Sequence, residues 1–417
     1  MVTPDATGRR VVLGVAGGIA AYKACEVVRR LRDAGCDVTV VPTAHALNFV
    51  GETTWAALSG KKINTDVWSD VTEVPHVRLG QTADLVLVVP ATADLLARAA
   101  TGRADDLLTN VLLTAHCPVA MFPAMHTEMW EHAATVANVA TLRSRGVVVK
   151  DPDSGRLTGA DSGPGRLPEP AEIAEIALQL LAGGAPAAAQ AAAQDLAGRH
   201  VVVSAGGTHE ALDPVRYLGN SSSGLMGVAI ARQAALRGAR VTLVAAAMTA
   251  EPPSGVAVER VVSTGDLATV MQRLAGEADV LVMAAAPADF TPQQAADSKI
   301  KKDGDGGLTL HLVQTTDVLA TLSHAKQGHA KRDGQVIVGF AAETATSREN
   351  LLELGRSKLA RKGCDLLVLN DVSSGKVFGQ PTTQVTVIDN DRILAERTGS
   401  KAAAAAAIMD AVAGLLQ

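Results

Sequence analysis

Aromatic side chains are scarce in this 417-residue chain: three tryptophans, two tyrosines and five phenylalanines make up 2% of it. With so few large rings, Ala, Val, Leu and Gly must fill the core, a diet that suits tightly packed layers of helix on sheet. Cysteine is also rare. Cys25, Cys36, Cys117 and Cys364 form no C-x-x-C pair and no regular spacing, which speaks against a zinc site or a disulfide frame and leaves four small hydrophobes suited to a reducing compartment. Positive charge is not in excess: the net charge is -5, so no broad cationic field draws in DNA or RNA. No apolar run approaches the roughly 18 residues of a membrane-spanning helix. The opening MVTPDATGRR leads straight into VVLGVAGG, without the apolar core and cleavage site of a signal peptide, and a cytoplasmic location is expected. A Walker A sequence is absent, so the front half is no P-loop NTPase.

What is present is a length that exceeds one hydrophobic core and suggests domains of roughly 100 to 200 residues each. From Arg10 the pattern runs strand (Val11 to Ala16), glycine turn, helix (Ile19 to Ala34) and strand (Asp37 to Val41), the β-α-β opening of a parallel sheet. Apolar runs at Leu85 to Val89, Val119 to Phe122 and Val147 to Val149 fit further buried strands. Leu181 to Ala197, LAGGAPAAAQAAAQDLA, predicts a helical or semi-rigid linker. After it the opening recurs: strand Val201 to Ser204, a long polar turn, helix Leu225 to Arg237 and strand Arg240 to Val244. Runs at Val280 to Ala285, Val336 to Phe340 and Leu366 to Leu369 extend this second sheet; TQVTVIDNDRILAE predicts a hairpin turning at Asn390 and Asp391, and a helix closes the chain over about Lys401 to Leu416. The expected fold is α/β: two doubly wound, Rossmann-like or flavodoxin-like three-layer domains with mainly parallel sheets, at 1–182 and 199–417, joined by a linker at 183–198.

In the front half, Gly17 and Gly18 stand between a strand and a helix, where amides and the helix dipole favour a phosphate; close helix–strand packing explains the same glycines equally well. PATADLLA places Thr92 at the carboxyl end of a strand, the ligand side of an open α/β sheet. His76 lies in PHVRLG on a segment without a clear amphipathic period, and such a histidine reads as structural or catalytic. PAMHTEMW follows another strand.

GGIAAYK, the PHVRL histidine, PATADLLA and PAMxxxMW, in this order, resemble the flavin-containing cysteine decarboxylases, and specifically the phosphopantothenoylcysteine decarboxylase half of the bifunctional coenzyme A biosynthesis family. The resemblance implies that Gly17, Gly18, Thr43 and Thr92 hold FMN and that His76 is the catalytic base. It implies a substrate site at Met125, His126 and Arg166. The family's PxMN motif has an asparagine where His126 stands, and an imidazole donates the same kind of hydrogen bond to a carboxylate. DSGRLTGADSGPGRL resembles the family's mobile substrate loop, but Gly159 replaces its proton-donating cysteine, which leaves Thr158, Asp161 or water for that role.

In the rear half, AGGTHEALDPVRYLGNSSSGLMG fills the first β-α turn with donors for oxyanions, and DSKIKK gathers Lys299, Lys301 and Lys302 near the MAAAPADF strand end. Taken alone, that lysine cluster reads as a solvated face. Together with GFAAET and LND, these segments resemble phosphopantothenate-cysteine ligase, the other half of the same family. The resemblance implies that CTP, with Mg2+, activates the carboxylate of 4'-phosphopantothenate and that cysteine displaces CMP. Asn220 would position the acyl-cytidylate and Lys299 would stabilise charge at the phosphates. Ala284, Ala285, Asp289, Lys299, Asp317, Val318, Phe340, Lys358 and Lys362 would form the nucleotide site. Lys358 and Lys362 are four apart, on one helix face.

The ligase product is the decarboxylase substrate, so the rear half acts first. A flavoprotein regulator and a flavin prenyl transferase share the front fold, but His76, PAMHTEMW and the fused ligase motifs disfavour both. The resemblance also implies a homo-oligomer, a dodecamer assembled from trimers.

Overall fold

A computed structural model describes residues 6–65, 74–156, 162–301, 308–324, 334–343, 347–371 and 382–416. The chain divides into two compact units, Met1–Asp195 and Leu196–Gln417.

The first unit is built on strands β1 (Arg10–Val15), β2 (Asp37–Pro42), β3 (Leu85–Ala91), β4 (Val119–Pro123) and β5 (Val148–Val149), and its helices are α1 (Ala21–Asp33), α2 (Glu52–Ser59), α3 (Pro75–Thr82), α4 (Ala93–Thr101), α5 (Leu107–Thr114), α6 (Thr127–Trp130), α7 (Ala133–Ser144) and α8 (Pro170–Ala193). The strands form one parallel sheet in the order β2-β1-β3-β4-β5. This is the flavodoxin order, in which the chain reverses direction across the sheet between β1 and β3 and opens a crevice at their carboxyl ends. β3, LVLVVPA, is buried at every position, as a central parallel strand covered on both faces must be. α1 buries Ala21, Ala24, Val27, Val28 and Leu31, one helical stripe.

Two elements differ from expectation, and a third, the linker, is helical as expected but part of a longer helix. His76 stands on a helix, α3, whose Pro75 fills a first-turn position where no N–H is needed; eight residues are too few for a period to declare itself. Residues 183–193 of the expected linker belong to the 24-residue α8, which starts at Pro170. The glycine-rich segment expected as a loop is, in its described part, an antiparallel hairpin of β6 (Asp153–Arg156) and β7 (Ser162–Arg166). Thr158, Gly159 and Asp161 lie outside the described residues.

The second unit has β8 (His200–Ala205), β9 (His209–Ala211), β10 (Tyr217–Gly219), β11 (Arg240–Ala245), β12 (Ala257–Arg260), β13 (Val280–Met283), β14 (Phe290–Pro292), β15 (Leu312–Gln314), β16 (Val336–Glu343), β17 (Leu366–Asp371), β18 (Thr382–Ile388) and β19 (Ile393–Ser400). Its helices are α9 (Leu225–Leu236), α10 (Thr264–Ala275), α11 (Val318–Ser323), α12 (Arg348–Lys362) and α13 (Lys401–Leu416). Eight strands form a sheet in the order β12-β11-β8-β13-β16-β17-β18-β19. It is parallel from β12 to β17 and antiparallel at its last two pairings. The β18–β19 turn is tied where expected: the Asp389 N–H donates to Arg392 O, and its carboxylate accepts from the Asp391 and Arg392 N–H groups. The direction of the chain across this sheet reverses between β8 and β13. Short ribbons β9–β10 and β14–β15 stand beside it.

His200, at the start of β8, is buried with Nε2 bonded to Thr242 Oγ1 at 2.9 Å and Nδ1 without a partner. Burial, aided by Arg240, pushes its imidazole below the ordinary value of 6.5, against smaller opposing effects of Glu277 and Asp279. A depressed histidine keeps its full contribution to stability above about 6.5 and loses it as the pH falls from there through the folded value, because the unfolded chain takes up the proton first. The melting temperature of this unit should therefore fall between pH 7.5 and 5, and His200→Gln should flatten that slope; an unchanged slope would mean that other groups set it.

Candidate active sites

In the first unit three turns meet at the carboxyl ends of β1, β2 and β3. After β1, the N–H of Gly18 bonds to Ala16 O and that of Ala21 to Gly18 O, while the amides of Gly17, Ile19 and Ala20 have no acceptor among the described residues. A Cβ on Gly17 would stand 2.4 Å from His45 Cβ and 2.9 Å from its carbonyl carbon, so this glycine is demanded by packing against the turn after β2. A Cβ on Gly18 would meet Thr92 Cγ2 at an ordinary 3.6 Å. Space does not explain Gly18, and its position over Thr92 joins the two turns. Thr43 is buried and Thr92 half-buried, and each caps the turn that follows, accepting from the N–H of Ala46 and of Leu95, both at 3.3 Å. A capping hydroxyl still has its own proton to donate.

His76 is fixed by its helix. Its carbonyl accepts from Thr114 Oγ1 at 2.8 Å, and Gly80 lets α3 approach α5 so closely that a Cβ there would lie 2.3 Å from Thr114 Oγ1. Its Nδ1 is buried and has no partner, an unusual cost for a polar ring atom. Met125 and His126 are held by the hairpin: the Met125 N–H donates to Gly165 O at 3.0 Å, and a Cβ on Gly165 would stand 2.2 Å from Met125 O. His126 is exposed at the start of α6. Arg166 pairs with Glu169, which also accepts from Lys23 at 3.2 Å. Partial burial pushes the Glu169 carboxyl up, but the two cations outweigh it and hold it below its ordinary value. The structure thus gathers Gly17, Gly18, Thr43 and Thr92 at one set of turns, and Met125, His126 and Arg166 around one hairpin. No described bond joins the His76 side chain to either group.

In the second unit the turn after β8 is pressed against Asn220. A Cβ on Gly207 would stand 2.1 Å from Asn220 O, and the Asn220 side-chain amide donates to Pro287 O at 2.8 Å, tying this loop to the strand end after β13. The amides of Ser221, Ser222 and Ser223 have no acceptor among the described residues and lead into α9, whose first-turn amides have no intrahelical partner. Below lies a buried polar network. Thr208 Oγ1 accepts from the Ala288 N–H at 2.8 Å and meets Thr264 Oγ1 at 3.0 Å; Glu210 accepts from the Thr264 N–H and hydroxyl, both at 2.8 Å. The Ala285 N–H donates to Ser204 Oγ at 3.2 Å, and the Thr315 N–H to Asp289 O at 3.0 Å. Ala284, Ala285 and Asp289 therefore line a strand end that is braced on two sides.

Lys299 is exposed beside Ile300, whose N–H donates to Asp213. Asp317 caps α11, accepting from the Ala320 N–H at 3.0 Å with Val318 buried behind it, and it pairs with Lys362. Burial raises the Asp317 carboxyl, but Lys362 and the cap more than offset it and the value is lowered. Lys358 donates to Glu343 at 2.8 Å. The two lysines do share a helix face, each already carrying a carboxylate partner. Phe340 is half-buried on β16. Lys302 lies outside the described residues.

A family model described as "Flavoprotein" matches residues 2–182, and one described as "DNA/pantothenate metabolism flavoprotein C-terminal domain" matches 196–416. The chain is 53% identical over 418 residues to the coenzyme A biosynthesis bifunctional protein CoaBC of Mycobacterium tuberculosis, covering 100% of this chain and 99% of that one. To CoaBC of Escherichia coli K12 it is 40% identical over 370 residues, 88% and 87% of the two chains. The chain belongs to the bifunctional coenzyme A biosynthesis proteins. Among solved structures, a phosphopantothenoylcysteine (PPC) decarboxylase mutant complexed with pantothenoylaminoethenethiol overlaps 41% of this chain and 96% of its own, at 27% identity and a TM-score of 0.38.

As a member of the bifunctional coenzyme A biosynthesis proteins, the chain carries residues that sequence reasoning passed over. Asp213 and Glu343 sit inside DPVR and GFAAET, and the recognisable motif was the only signal they offered. Thr208, Glu210, Thr264 and Thr315 belong to a network that closes only in space. The fourfold-bonded Asp213 carboxyl is pushed up by burial and pulled down further by the N–H groups of Val215, Ile300 and Arg216, so that it lies below its ordinary value.

Proposed function

We propose that the second unit joins 4'-phosphopantothenate to L-cysteine at the expense of CTP, through an acyl-cytidylate, and that the first unit decarboxylates the product and reduces it to 4'-phosphopantetheine with FMN. The observation that carries this reading is a pair of anion cradles, each a run of unsatisfied amides at the carboxyl end of a parallel sheet where the strand order reverses.

In the first unit the amides of Gly17, Ile19 and Ala20 suit a terminal phosphate, and the hydroxyls of Thr43 and Thr92 suit a polar group above it. When bound, FMN supplies a reversible hydride acceptor, so that two electrons leave the cysteine side chain before carbon dioxide is lost and return to the enethiol afterwards. His76, with a ring nitrogen buried and unpartnered, takes the proton released as the cysteine carbon is oxidised. Met125, His126 and Arg166 hold the substrate at the hairpin, His126 by donating to the carboxylate.

In the second unit the Ser221–Ser223 amides and Lys299 draw charge toward the transferring phosphate, and Asn220 orients the acyl-cytidylate. Asp317, Val318, Phe340, Lys358 and Lys362 bind the nucleotide with Ala284, Ala285 and Asp289; the two lysines loosen from Asp317 and Glu343 as the polyphosphate arrives. Magnesium comes with the CTP phosphates. The proposed assembly is a trimer-based dodecamer, working in the cytoplasm.

Purified protein should show a flavin absorption spectrum, release pyrophosphate from CTP far faster than from ATP when given phosphopantothenate and cysteine, and then release carbon dioxide. A colourless preparation that takes up no FMN would remove the first activity, and one indifferent to CTP the second.

A further inference from the structure

Asp213 has no role in the scheme above, yet its carboxylate is the most fully engaged one in the second unit's site. Its side chain is 0% exposed. Oδ1 accepts from the N–H groups of Val215 and Arg216, both at 2.8 Å; Oδ2 accepts from Arg216 Nη1 at 3.2 Å and from the Ile300 N–H at 3.1 Å. The first three bonds close a local turn. The fourth crosses 87 positions of the sequence to the residue that follows Lys299. A second tie fastens the same segment upstream, where the Ala296 N–H donates to Leu212 O at 2.9 Å.

We propose that Asp213 is a positioning residue for the amide-forming reaction, holding Lys299 over the reacting phosphate by gripping the Ile300 N–H. The proposal rests on the ligase reading of this unit and deepens it. A lysine is a point charge on a long flexible stem, and its value at a transition state depends on where its backbone is anchored. Segment 296–300 carries two such anchors, one on Leu212 and one on Asp213. The turn's two backbone bonds need only Oδ1, which an asparagine also offers, while the Arg216 Nη1 bond is the one part of the turn that falls on Oδ2. Oδ2 and its charge are what bind the lysine segment.

Asp213→Asn keeps the Oδ1 acceptor and puts an amide NH2, which cannot accept from Ile300, in place of Oδ2. In the full-length FMN-loaded protein, CTP-dependent pyrophosphate release should fall about 10- to 100-fold in kcat, the scale of an ångström-sized misplacement. The KM for CTP should change little, and carbon dioxide release from phosphopantothenoylcysteine should stay at the wild-type rate. Because Asp213 acts through Lys299, the double variant with Lys299→Gln should be no slower than Lys299→Gln alone. A wild-type kcat in Asp213→Asn, or losses that multiply in the double variant, would overturn the proposal while leaving the ligase reading intact. No pyrophosphate release by the wild type would sink the ligase reading and the proposal together, whereas full activity in Lys299→Gln would overturn the proposal and leave the ligase reading standing. Should Asp213→Asn not fold, Ile300→Pro removes the same bond from the donor side. It should show the same kcat loss with no added effect of Lys299→Gln, and full activity in that variant would equally overturn the proposal.

Discussion

Replacing His76 with asparagine is expected to slow carbon dioxide release by about 10²- to 10⁴-fold, the usual contribution of one general base, while CTP-dependent pyrophosphate release continues unchanged. The expectation starts from a cost. A ring nitrogen buried without a partner is destabilising by about 1 to 3 kcal/mol, a cost that a proton-accepting role at this position accounts for. The rest of the residue is rigidly set: its carbonyl takes the Thr114 hydroxyl, and Gly80 allows the close approach of α3 to α5. Asparagine retains the backbone and a donor but has no basic nitrogen. Single-turnover decay of the substrate, with the flavin spectrum recorded beside it, separates the alternatives. A slow variant with a normal flavin spectrum and melting temperature is the expected result; a variant that only melts earlier, with an unaltered rate, would make His76 a packing residue.

The second large effect is expected from adding one methyl group. Gly207→Ala should lower the ligase kcat by about 10²-fold, the penalty for shifting a catalytic group by an ångström, and should also destabilise the second unit by about 1 to 3 kcal/mol, as overpacking does. The new Cβ would lie 2.1 Å from the backbone oxygen of Asn220, which has no flexible side chain to swing aside. Since Asn220 is also tied to Pro287 O, the whole loop must move, carrying the free amides of Ser221–Ser223 with it. Gly265→Ala is the matched control. Gly265 lies on α10, where the nearest atom to a Cβ is Ser263 Oγ at 3.6 Å, and alanine in a helix should stabilise by about 0.5 to 1 kcal/mol. A Gly207→Ala protein with full activity would show that Asn220 does not position the intermediate.

Much of the site was legible as a list of places. Gly17, Gly18 and Thr92 fall at strand ends because a strand, a glycine turn and an amphipathic helix are written in consecutive residues. The same local grammar marks the restart at β8 and the Asp389–Arg392 turn. The α3 helix under His76 escaped because eight residues, Pro75–Thr82, present barely two turns, and their pairing with α5 is what holds them. The hairpin of β6 and β7 escaped because its glycines suggest a loop until one sees that Gly163 and Gly165 are small so that Thr127 and Met125 can lie against them.

By itself the sequence determined the α/β class, the restart of the chain at a second sheet and the strand ends where the turns fall, since periodicity and turn chemistry act over a few neighbouring residues. Only the tertiary structure decided which glycine is required for space and which is not, with Gly17 pressed against His45 and Gly18 in ordinary contact with Thr92. It also decided which charges stand ready paired, as Lys362 is with Asp317 and Lys358 with Glu343, and that Asp213 reaches Ile300. Those contacts join residues 15 to 87 positions apart, and no local pattern encodes a bond whose partner arrives only when the sheet has closed.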